Sequence, residues 1–218
     1  MKKVQNIIEY KKFFSLLLPW FFFASFMNFF RFFTTDLSSY VYMHWNFFLA
    51  LLPLLFLFFL EKTKFRFFQF FLFLLSFFFL PNSIYILTDF IHLREVGSSV
   101  MIWFDALMLF SYAFSALILF TFSVYKMYNL IIQSYTQLNK NFFFFLISFL
   151  SAFGVYLGRY IRWNTWDIVL HPYNLFQDSF SLIMHSHENT LFLQTILFFT
   201  LVSLVSLLSF QKIFQKTQ

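Results

Sequence analysis

The sequence predicts an all-α, polytopic transmembrane helix bundle of about six spans, forming one domain over residues 1–218. Three observations predict it. The chain is 61% apolar and 27% aromatic, but only 11% charged; a soluble domain carries about a quarter charged residues. The apolar residues come in runs near the ~20 residues needed to cross a bilayer, not in short amphipathic stripes. The lysines and arginines gather at the ends of those runs, which is the pattern of membrane orientation.

The spans follow in order. The first is about Phe13–Phe33. Lys2, Lys3, Lys11 and Lys12 ahead of it have the layout of a secretory signal. The apolar run is too long, and no small-x-small cleavage site follows, so it reads as an uncleaved helix. The second is about Ser39–Leu60, with a kink expected at Pro53, whose ring displaces the Leu49 carbonyl. The third is about Phe65–Leu80, ended or broken by Pro81-Asn82. The apolar stretch Ser83–Ile91 is too short to cross alone and reads as an interfacial or re-entrant helix near 83–95. The last three are about Met101–Tyr125, Phe142–Trp163 and Leu191–Phe210. Asn164–Thr190 is long, mixed and aromatic, so it is expected to fold against the bundle.

Counting Lys and Arg on alternate sides sets the orientation. Lys2, Lys3, Lys11, Lys12, Lys62, Lys64, Arg66, Lys126, Lys140, Lys212 and Lys216 fall on one side, eleven in all. Arg31, Arg94, Arg159 and Arg162 fall on the other, four in all. Both termini are therefore expected in the cytoplasm. Every Asp (36, 89, 105, 167, 178) and every His (44, 92, 171, 185, 187) then lies on the outer side. This asymmetry is the strongest functional signal in the chain.

The polar chemistry is densest at Phe153–Asp167, FGVYLGRYIRWNTWD. Gly154 and Gly158 share a helix face and allow close approach of another span. Arg159 and Arg162 follow, interleaved with Trp163 and Trp166, then Asn164 and Asp167. Guanidinium binds phosphate or carboxylate in a forked geometry and stacks on indole. Arg159, Arg162, Trp163, Asn164 and Asp167 are accordingly the candidate anion-binding residues. Interfacial anchoring by snorkelling Arg and belt Trp is the competing reading.

Pro81–Glu95 reads PNSIYILTDFIHLRE. In a helix, Tyr85, Asp89 and His92 share a face. Asp105 follows in the first turns of the fourth span. An acid at that depth needs a partner or a wet cavity, and Arg159 or Arg162 is the expected one. Asp89, His92 and Asp105 are the candidate catalytic residues. Together with Arg159 and Arg162 they are expected to line one cavity on the outer face. A structural ion pair between helices is the alternative for Asp105.

His185-x-His187-Glu188, with His171 upstream, offers metal-ligand types, but H-x-H does not put two ligands on one helix face. A solvated loop is the plainer reading. No cysteine is present, which excludes thiol catalysis and thiolate metal sites. Basic residues at helix ends do not form a nucleic-acid surface. No motif points to a particular cofactor.

PNSIYILTDFIHL, the Trp103-Phe104-Asp105 triplet and FGVYLGRYIRWNTWD resemble the bacterial membrane family known as domain of unknown function 1361. The resemblance covers roughly Asn46 to the last span. It implies a multi-spanning protein of the bacterial inner membrane and no particular activity.

Three readings remain. The first is an outer-face site that binds or processes a small anionic or lipid-headgroup ligand. The second is a non-catalytic accessory or assembly subunit, with the polar cluster as an interlock. The third is a transporter. The span centres offer Ser76, Ser111, Ser115, Ser148 and Gln194 but no ionisable residue, which counts against ion-coupled transport.

Overall fold

The computed structural model describes residues 2–35, 40–94, 102–133 and 137–215, without the side chains of 2–8, 35, 94 and 211–215. Asp36, Ser39, the Arg94 side chain, Glu95 and Met101, all used above, lie outside the described set, as do Val96–Ser99 and the side chains of Lys2, Lys3, Lys212 and Lys216. Nearly all of the described residues are helical, with no strand among them. The helices are α1 (Lys2–Thr35), α2 (Tyr42–Lys62), α3 (Arg66–Phe79), α4 (Pro81–Tyr85), α5 (Ile102–Ile132), α6 (Lys140–Tyr156), α7 (Asp167–Leu170), α8 (Pro172–Met184) and α9 (Thr190–Gln215). A 3-10 stretch, Ile86–Arg94, continues α4, and a π turn, Leu157–Ile161, continues α6.

Six helical stretches are long and apolar enough to cross a membrane: Glu9–Thr34, Tyr42–Lys62, Arg66–Leu93, Ile102–Ile132, Lys140–Ile161 and Thr190–Phe210. The protein is a multi-pass membrane protein. Helix α5 is its axis. Some 78% of its crossing window is buried, against 28–44% in the other five. One apolar cluster packs α1 and α2 on the first half of α5. A second packs α4, α6 and α9 on its second half.

The third span shows how sequence sets the path. Fourteen residues of α3 rise only about 21 Å, short of the ~30 Å hydrocarbon core. The stretch after Pro81, expected as a separate interfacial or re-entrant helix, instead continues α3 end to end, so that α3, α4 and the 3-10 stretch make one span. Pro81 has no N–H to offer the Phe77 carbonyl. The Leu80 N–H takes that carbonyl instead, at 3.3 Å. The Asn82 side-chain amide takes the Phe79 carbonyl at 3.0 Å. These substitutions carry the chain through the proline without orphaned carbonyls. They also move it inward. In α3 only Ser76 is buried, whereas Ser83, Ile84, Ile86 and Asp89 all are.

Helix α2 runs on through Pro53. Ser76 and Ser83 donate to the carbonyls of Pro53 and Ala50, at 3.0 and 2.9 Å, and pin the third span to α2 there. Gly154 of α6 lies under Pro81: a Cβ at 154 would sit 2.5 Å from the Pro81 Cγ. Small residues let membrane helices approach this closely. The Asn139 side chain caps α6 by accepting from Asn141 and Phe142. Asn189 does the same for α9, accepting from Phe192 N–H at 2.9 Å.

Two ends can be told apart. At the lysine end, Lys126 of α5 meets Glu9 of α1 at 2.9 Å and Glu61 of α2 at 3.4 Å. This triad ties three spans together. All five histidines gather at the opposite end, called here the histidine end. Some midspan hydroxyls are taken up by backbone, whereas those of Ser123, Ser148, Thr200 and Ser203 are buried without a hydrogen-bond partner among the described residues. Ser111 and Ser115 donate to carbonyls one turn earlier, and Thr121 meets Ser206 at 2.6 Å.

Candidate functional site

At the histidine end the last turns of the third span are 3-10 helix. Three residues per turn eclipse side chains at i and i+3. Asp89 and His92 are therefore stacked, with His92 Nε2 3.9 Å from Asp89 Oδ1. Asp89 is 1% exposed and accepts through both oxygens. Asn46 Nδ2 donates to Oδ2 at 3.0 Å, and Arg159 Nη1 donates to Oδ1 at 3.4 Å.

Arg159 is delivered by the π turn at the end of α6. The turn closes through Arg162, whose φ of 69° puts it in the left-handed region, with Trp163 N–H reaching the Leu157 carbonyl at 3.0 Å. Arg159 Nη1 also donates to the Tyr85 hydroxyl at 3.3 Å, and Nη2 meets His92 Nε2 at 3.2 Å. A guanidinium can only donate, so that last contact requires neutral His92 with its proton on Nδ1. The guanidinium carbon lies 5.8 Å from the Tyr85 ring centre. Each contact is single-point, and all are longer than the ~2.7–2.9 Å of strong charge-assisted bonds. Arg159 and His92 remain 17% and 28% exposed.

Beside this network is a cavity of about 300 Å³. Asn46 and Leu49 of α2 form one wall, Asn82 and Tyr85 of the third span another, and Gly154 and Gly158 the floor. Trp163–Trp166, Ile168 and Leu175 close over it. The first part of the long segment before α9 is thus folded onto the bundle, while α8 beyond it has no buried residue. Asn82 Nδ2 ties the cover to the third span through Thr165 Oγ1 at 3.1 Å. Trp163 is held by its indole N–H on Asp178, at 2.9 Å.

The structure corrects the predicted grouping in two respects. Asp105 is not paired with Arg159 or Arg162. It accepts from Arg31 Nε and Nη2 at 2.8 and 3.0 Å, and the pair is sealed, at 2% and 0% exposure. The reason is proximity: the end of α1 packs on the start of α5, and both residues sit at that level. Second, Asp89, His92, Arg159 and Arg162 do not line the cavity with Asp105. Asp89, His92 and Arg159 converge behind its wall, where Asn46 and Tyr85 stand between them and the open space. Arg162 is exposed and makes no hydrogen bond or ion pair among the described residues. Of the remaining candidates, Trp163 and Asn164 do line the cavity. Asp167 is buried and accepts from the Asn164 N–H at 2.7 Å, which makes it a local brace. The ring against Arg159 is Tyr85, not an indole.

Asn46 was missed by sequence reasoning because an amide in a first helical turn carries no signal of its own. Arg31 was overlooked as a partner although it lay on the correct side. His187 and Glu188 pair at 3.4 Å on the exposed surface, and His185 bonds the Ser181 carbonyl. Among the described residues no group of three or more His, Asp or Glu side chains is placed to hold a metal.

The arrangement presents polar side chains to the cavity. Tyr85 lines the cavity and its hydroxyl accepts from Arg159, a cation that strengthens that hydroxyl as a donor. The Asn164 side chain has no partner among the described residues and faces the same space. No curated protein and no solved structure matches the chain. One family model does, over residues 45–208, a stretch that holds Asn46, Tyr85, Asp89, His92, Arg159 and the whole cavity but not Arg31. The chain therefore belongs to the family described as protein of unknown function DUF1361.

Proposed function

We propose that the protein binds an anionic group, on a small molecule or a lipid head, in the cavity at its histidine end. One observation carries the reading. Tyr85 lines the cavity, and its hydroxyl accepts from Arg159, a guanidinium held only by long single contacts. Arg31, bonded twice to Asp105 and sealed, shows what a purely structural arginine looks like in the same chain. Arg162 adds a second cation nearby in sequence, unpaired among the described residues. Asp89 and His92 are the acid–base groups beside Arg159, so any processing step would rest on them.

In this reading the histidine end faces outward and both termini face the cytoplasm, in a bacterial inner membrane. The support is the excess of Lys and Arg at the other end, together with what the family resemblance implies. The lipid bilayer is the one partner the composition requires, and nucleic acid is not one.

The test is titration of purified protein in detergent with inorganic phosphate, beside thermal unfolding. Tyr85→Phe keeps the ring against Gly158 and removes only the hydroxyl. It should melt close to wild type and bind phosphate about tenfold more weakly, the worth of one hydrogen bond. Identical titrations for the two proteins would sink the reading.

A further inference from the structure

We propose that the anion held in this cavity is the headgroup of a membrane lipid, admitted sideways from the bilayer. This rests on the binding reading above and names its ligand.

Two features of the cavity's edge point to the bilayer. Trp45 of α2 and Phe78 of α3 both line the cavity, and both are exposed on the flank of the bundle. On a membrane-spanning helix that flank meets lipid. The mouth between them therefore opens toward acyl chains and headgroups. The second feature is the cover. Ile168 and Leu175 face the cavity, while Val169, Tyr173, Phe176 and Phe180 are exposed on the other side. Helix α8 has no Lys, Arg or Glu, and its one Asp is held inward by Trp163. Asn174, Gln177, Asp178 and Ser181 make a polar stripe along it, and an amphipathic segment of this kind lies in the membrane interface rather than in water. The space beneath it is then at headgroup depth.

The shape agrees with that occupant. A volume of about 300 Å³ lies at the small end of ligand pockets, which run to roughly 1,000 Å³. It accommodates a headgroup but not two acyl chains, so the chains must leave by the mouth. The polar groups, Tyr85, Asn82 and Asn164, are on the inner walls and cover; the exposed aromatics are at the edge. That gradient from polar to apolar is the gradient of a lipid entering head first. Arg159, behind Tyr85, favours a head with an anionic oxygen.

The experiment is photo-crosslinking of the full chain in phosphatidylcholine vesicles carrying a minor fraction of phosphatidylglycerol. A diazirine-bearing leucine analogue replaces Leu175, under the cover, or in a second protein Phe176, on its outer side. Intact mass identifies the lipid attached. The Leu175 position should yield phosphatidylglycerol adducts well above the mole fraction of that lipid, and Phe176 adducts in proportion to the bulk. The same analogue at Leu49, on the α2 wall, serves if the Leu175 variant fails to fold. Adducts at Phe176 but none at Leu175 or Leu49 would overturn lateral lipid entry. Adducts there in bulk proportion would overturn headgroup selection. If either occurs while phosphate titration still separates wild type from Tyr85→Phe, the site takes a free anion and only the lipid assignment falls. If that titration also fails, the binding reading falls with it.

Discussion

Arg31 and Asp105 make a two-point ion pair, 2.8 and 3.0 Å long, between the end of α1 and the start of α5, closed to solvent on every side. The geometry saturates both carboxylate oxygens. Breaking such a pair by removing one partner leaves a buried charge alone, which typically costs about 3–5 kcal/mol. Asp105→Asn and Arg31→Met should each lower the melting temperature in detergent strongly. Arg31→Met combined with Asp105→Leu should recover much of the loss, because neither charge is then left buried. A double variant no more stable than the worse single one would contradict this. Phosphate titration of the double variant should match wild type, since this pair is the interlock and not the site.

The two glycines of α6 should respond differently. A Cβ at Gly154 would meet the rigid Pro81 ring at 2.5 and 2.8 Å, so Gly154→Ala should destabilise by about 1–3 kcal/mol through overpacking. At Gly158 a Cβ would rest 3.5 Å from the Tyr85 ring, an ordinary contact. Gly158→Ala should be neutral or slightly stabilising, by up to about 1 kcal/mol from the helix propensity of alanine. Gly158→Leu should overpack and lose about 1–3 kcal/mol. Equal melting temperatures for Gly154→Ala and Gly158→Ala would remove Pro81 from the close approach.

Arg162 joins a backbone constraint to a charge that is unpaired among the described residues. Its φ of 69° and ψ of 30° cost a non-glycine residue about 1–2 kcal/mol. Arg162→Gly should therefore raise stability by about 1 kcal/mol, and Arg162→Ala should not. If Arg162 contributes to anion binding, both variants should lose phosphate affinity by the same factor while moving apart in stability. A loss of affinity confined to one of them would tie the effect to backbone shape instead of charge.

Orientation can be read by fusions. A reporter at the C-terminus should report cytoplasm, and one inserted near Val96–Ser99 should report the exterior. A cytoplasmic signal from Val96–Ser99 would reverse the sidedness on which the outward-facing site depends.

Composition and run length by themselves determined that this chain is a six-span helical membrane protein, because a hydrocarbon solvent forces backbone polar groups to pair within each segment. Spacing within single helices was legible too. It placed Tyr85, Asp89 and His92 on one face, and Gly154 and Gly158 at a close helix contact. Tertiary structure alone decided which charges meet. Depth is readable along a sequence, but the angle at which a side chain leaves its helix axis, and the neighbour it then faces, depend on how six helices are arranged around α5. Asp105 had cations at its own depth on α1 and on α6. The packing of α1 against the start of α5 gave it Arg31 and left Arg159 to Asp89. The same packing put Glu9, Glu61 and Lys126, three residues scattered along the chain, into one triad at the lysine end. The π turn at Leu157–Ile161 and the left-handed Arg162 have no signature in residue type either. They arise where α6 must end, with Trp163 tied to Asp178 and the cover anchored on Asn82, a constraint that exists only once the bundle has formed.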